Sequence, residues 1–73
     1  MSRIAVLGEA VRTDAFALAG AFVIAADSPD AVRTAWRSLP DDVAVVVMTP
    51  LAADALGDAV ADVRENLLIV TLP

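Results

Sequence analysis

Four short runs of this chain are apolar at nearly every position, and they constrain the fold more than any other feature: Arg3 to Leu7 (RIAVL), Ala21 to Ala26 (AFVIAA), Val43 to Met48 (VAVVVM) and Leu67 to Leu72 (LLIVTL). Each has the length of a strand, and none alternates strictly between apolar and polar residues. A strand that is apolar on both alternating sets needs cover on both faces, which is the condition of a parallel sheet held between helices.

The intervening segments carry helical period and cap signals. Ser28-Pro29-Asp30 offers an N-cap, a proline at the first helical position and an acidic residue in the first turn. Val32, Ala35, Trp36 and Leu39 follow at i, i+3, i+4 and i+7, so Trp36 reads as core rather than as a platform for a ligand. Thr49-Pro50 opens another helix by the same logic, with Leu51, Ala52, Ala55, Leu56, Ala59, Val60 and Val63 on its apolar side and Asp54, Asp58 and Asp62 on its outer side. A shorter helix is expected between Thr13 and Ala19, stopped by a left-handed Gly20.

Strand, helix, strand repeated three times implies right-handed crossovers, the hand of about 98% of such connections. The expected architecture is α/β: a small Rossmann-like (flavodoxin-like) three-layer domain with a four-stranded parallel sheet in the order 2-1-3-4 and three helices. No internal repeat or linker divides residues 1–73, which read as one domain.

Composition narrows the function. A chain of 73 residues lies near the lower size limit for an independent core. With 59% hydrophobic residues but one Trp and two Phe, that core must be built from Ala, Val, Leu and Ile. Ten acidic residues against five arginines give a net charge of −5, which repels nucleic acid and anionic membrane surfaces. Cysteine is absent, so there is no disulfide, thiolate nucleophile or thiolate metal site. The longest uncharged stretch, Val43 to Ala53, is short of the about 20 residues needed to span a bilayer and is interrupted by Pro50. The N-terminus runs directly into a strand without a secretory h-region. The reading is a cytoplasmic protein that does not insert into membranes.

In open sheets of this kind ligands bind beyond the carboxyl ends of the strands at the switch point, here the loops containing Gly8, Glu9 and Arg12 and containing Thr49 and Pro50. Neither loop has the glycine density or the lysine of a phosphate cradle, and Gly8 alone reads as a turn residue. A phosphate-accepting receiver domain would need an aspartate closing the third strand, where this chain has Val47-Met48-Thr49. Asp54, Asp58 and Asp62 share one helix face but read as a solvated surface, since a hard cation needs oxygens converging from several directions. Without His, Cys, Lys or Tyr the inventory for acid–base or nucleophilic catalysis is nearly empty. No catalytic residue, metal ligand or cofactor-binding residue is expected.

Several segments resemble the F subunit of the vacuolar/archaeal-type (V/A-type) rotary ATPases. The opening RIAVLGE resembles the start of that family, Phe16-Ala17-Leu18-Ala19-Gly20 matches its F-x-L-A-G segment, and Asp27-Ser28-Pro29 sits where its second helix begins. Val45-Val46-Val47-Met48-Thr49 followed by Ala52 resembles its third strand and third helix, and Leu68-Ile69-Val70-Thr71-Leu72-Pro73 its last strand. The resemblance implies a non-catalytic central-stalk protein that couples ATP hydrolysis or synthesis to proton or sodium transport. Its partners would be the axle and the other components of the rotary ATPase, holding it peripheral to the membrane. Relatives commonly continue past the proline into a C-terminal helical tail, and this chain is read as lacking it. The alternative from the residues alone is a free-standing regulatory or small-ligand-sensing α/β domain.

The topology carries one further expectation. In order 2-1-3-4 the first helix covers one face and the other two helices the opposite face, with no helix read after the fourth strand. One face over strands three and four is then bare although both alternating sets there are apolar. The candidate partner interface is therefore drawn from Val43, Val45, Val46, Val47, Leu68 and Val70. It would be filled by a partner helix in the motor and by self-association when the protein is alone.

Overall fold

The computed structural model describes residues 3–17, 20–57 and 67–73. Its elements follow in the order β1 (Arg3–Gly8), α1 (Ala10–Ala17), β2 (Phe22–Ala25), α2 (Pro29–Arg37), β3 (Val43–Met48), α3 (Pro50–Leu56) and β4 (Leu68–Thr71). The four strands form one all-parallel sheet in the order β2-β1-β3-β4, as the alternation of strand and helix predicts.

Local chemistry explains most element ends. Ser28 caps α2 by accepting the Ala31 N–H at 3.1 Å, and Pro29 stands at the first helical position. Thr49 caps α3 by accepting the Ala52 N–H at 3.3 Å. Gly57 closes α3 at φ 50° and Gly20 follows α1 at φ 86°, conformations that a Cβ would penalise. The part of the third helical pattern beyond Gly57, with Ala59, Val60, Val63, Asp58 and Asp62, lies outside the described residues.

The start of α1 differs from the sequence expectation. The helix begins at Ala10 rather than Thr13, because Thr13 is not a cap. It is fully buried inside the helix, and its hydroxyl bonds back to the Glu9 carbonyl at 3.1 Å. The first N–H of the helix is met by a distant group, the Asp27 carboxylate after β2, at 3.0 Å from Ala10 N. That carboxylate also lies favourably against the positive end of the helix.

One face of the sheet, carrying Ala5, Leu7, Val46 and Met48, packs with Val32 of α2 and with Ala52 and Leu56 of α3 to form the core. Trp36 is only partly buried at the margin of that core, not enclosed by it. Helix α1 covers the opposite face above β1 and β2.

Candidate functional site

The carboxyl ends of the strands, where this architecture normally binds its ligands, are filled by the chain itself. Gly8 is the last residue of β1 rather than a turn residue, and it is buried. A Cβ placed on it would collide with Cγ2, Oγ1 and Cβ of Thr49, the last at 2.9 Å. The glycine exists to admit the side chain of Thr49, which follows the neighbouring strand β3 and caps α3. Thr49 is fully buried. Its N–H donates to the Leu7 carbonyl at 3.1 Å, and its hydroxyl donates to the Glu9 carboxylate while accepting from Ala52. The Glu9 carboxyl is held below its usual range, first by the Thr49 hydroxyl, then by the backbone N–H of Glu9, with a smaller contribution from the Arg12 charge.

This arrangement leaves little for an incoming anion. Phosphate sites at helix N-termini need free N–H groups, and each helix here has one leading N–H engaged by a side chain of its own chain: Ala10 by Asp27, Ala31 by Ser28 and Ala52 by Thr49. No buried side-chain polar atom among the described residues lacks a partner. Nor do the described residues contain a group of three or more His, Cys, Asp or Glu able to hold a metal ion. Asp54 is exposed on α3, and its companions Asp58 and Asp62 lie outside the described residues.

The α1 side of the sheet is different. Register pairs Ile4 with Val45 and Val6 with Val47 across β1 and β3, and Val45 with Leu68 and Val47 with Val70 across β3 and β4. Paired residues of a parallel sheet share a face, so this set forms an apolar floor on the side opposite the core. Val6 is buried under α1, but Ile4, Leu68 and Val70 are 53%, 60% and 42% exposed. Next to α1 the floor sinks into a groove of about 660 Å³, with Phe16 of the helix as its wall and Ile4, Val6 and Val47 beneath.

The interface candidates read from sequence therefore divide. Val45, Val47, Leu68 and Val70 lie on this open face, whereas Val43 and Val46 are buried in the core at 5% and 0% exposure. Strict alternation would have grouped Val43 with Val45 and Val47. The register instead shifts between Arg3 and Ile4, so that Arg3 pairs with Val43 and Ile4 with Val45. That irregularity turns Val43 to the side of Val46 and Met48.

With this geometry in view, comparison with known families is informative. Residues 4–73 match the family described as ATP synthase (F/14-kDa) subunit. The chain belongs to that family. No curated protein matches the chain.

The F/14-kDa match runs through the sealed strand ends and the open face alike. The segment Phe16 to Gly20, which carries the sequence resemblance, has structural roles at its two ends. Phe16 walls the groove and Gly20 makes the left-handed turn after α1. Two contacts at the strand ends were missed by sequence reasoning: the Glu9–Thr49 bond joins residues 40 apart, and the Asp27 cap reaches back 17. Neither has a short-range signal. The proximity of Gly8 and Thr49 could have been found from the parallel pairing of the first and third strands. No helix among the described residues is long and apolar enough to cross a membrane.

Proposed function

We propose that this F/14-kDa family member is a non-catalytic central-stalk (rotor) component of a V-type ATPase. It acts through protein–protein contacts that couple ATP hydrolysis or synthesis to proton or sodium transport, and it sits peripheral to the membrane on the cytoplasmic side. The observation that carries the reading is the family match across residues 4–73. The strand ends support it from the chemical side, because the position where an α/β domain would sense a small ligand is occupied by Thr49 and Glu9. The same occupation weakens the alternative of a free-standing ligand-sensing domain.

Two measurements test this. Calorimetric titration of the isolated protein with ATP and with ADP is expected to give no stoichiometric binding. Rotary ATPase assembled with and without the chain is expected to differ in ATP-driven ion transport per ATP hydrolysed, with tighter coupling when the chain is present. Tight nucleotide binding, or equal coupling in both preparations, overturns the reading.

A further inference from the structure

We draw no further inference here: the strongest candidate, the apolar groove of about 660 Å³ between Phe16 of α1 and the sheet floor of Ile4, Val6 and Val47, belongs to the open face already described, and nothing in the structure shows what covers it.

Discussion

Gly8 and Thr49 share a space that holds one side chain, and the consequences can be measured. In Gly8→Ala the new methyl must displace a buried threonine that caps α3 and bonds Glu9. The expected cost is about 1–3 kcal/mol, the usual range for overpacking a close-packed site, read as a lower midpoint in urea unfolding. Glu9 adds a pH signature. Its ordinary value is 4.5 and the folded value is lower, so the folded protein binds this proton less readily than the unfolded chain. The stabilisation is fully present above about pH 4.5 and is lost as pH falls through the folded value. Glu9→Gln removes this contribution. The variant should start less stable at pH 7 and lose less on acidification to pH 3, when midpoints are compared at matched ionic strength. Asp42, held low by its hydrogen bonds and ion pair with Arg3 at 2.6 and 2.8 Å, remains in both proteins and contributes equally.

At the scale of elements, the features legible in the sequence are those whose physics is local. A Ser or Thr followed by proline marks the start of α2 and of α3, and a left-handed glycine follows α1, because caps and positive φ involve only a few consecutive residues. The start of α1 was not legible, since its cap arrives from Asp27 and the nearby Thr13 imitates a cap while serving as a buried helix residue. The register shift in β3 was equally hidden: VAVVVM reads the same in either phase, and only pairing with β1 decides which valines enter the core. Helical period placed Trp36 on the correct stripe but did not measure depth, which depends on how far the neighbouring elements extend. Trp36 is partly buried, while Leu7 in the central strand is wholly enclosed. Leu7→Ala is accordingly expected to cost about 2–5 kcal/mol. Trp36→Ala should cost less than the about 3–5 kcal/mol of a fully buried aromatic. Denaturant unfolding of the two variants side by side checks the order, and a reversed order would mean that Trp36 carries more of the core than its exposure indicates.

For the molecule as a whole, the sheet has one face committed to its core and one that α1 covers over β1 and β2 while Leu68 and Val70 stay exposed, and a single charge placed on each face separates them. Val46 is 0% exposed and Leu68 is 60% exposed. A domain of this size has a total stability of roughly 4–11 kcal/mol at about 0.05–0.15 kcal/mol per residue, and an uncompensated buried charge costs several kcal/mol. Val46→Asp should therefore lose the cooperative thermal transition at pH 7 or show it greatly weakened. Leu68→Asp should keep it, with a cost of about 1 kcal/mol or less, the scale of strand propensity. The two variants should also differ in pH dependence. A carboxyl buried at position 46 has its pKa raised, so relative to the parent its penalty shrinks as pH falls and the group becomes neutral. A carboxyl at position 68 stays in water and leaves the difference from the parent nearly independent of pH. If Leu68→Asp unfolds the domain and Val46→Asp does not, the two faces have been assigned the wrong way round.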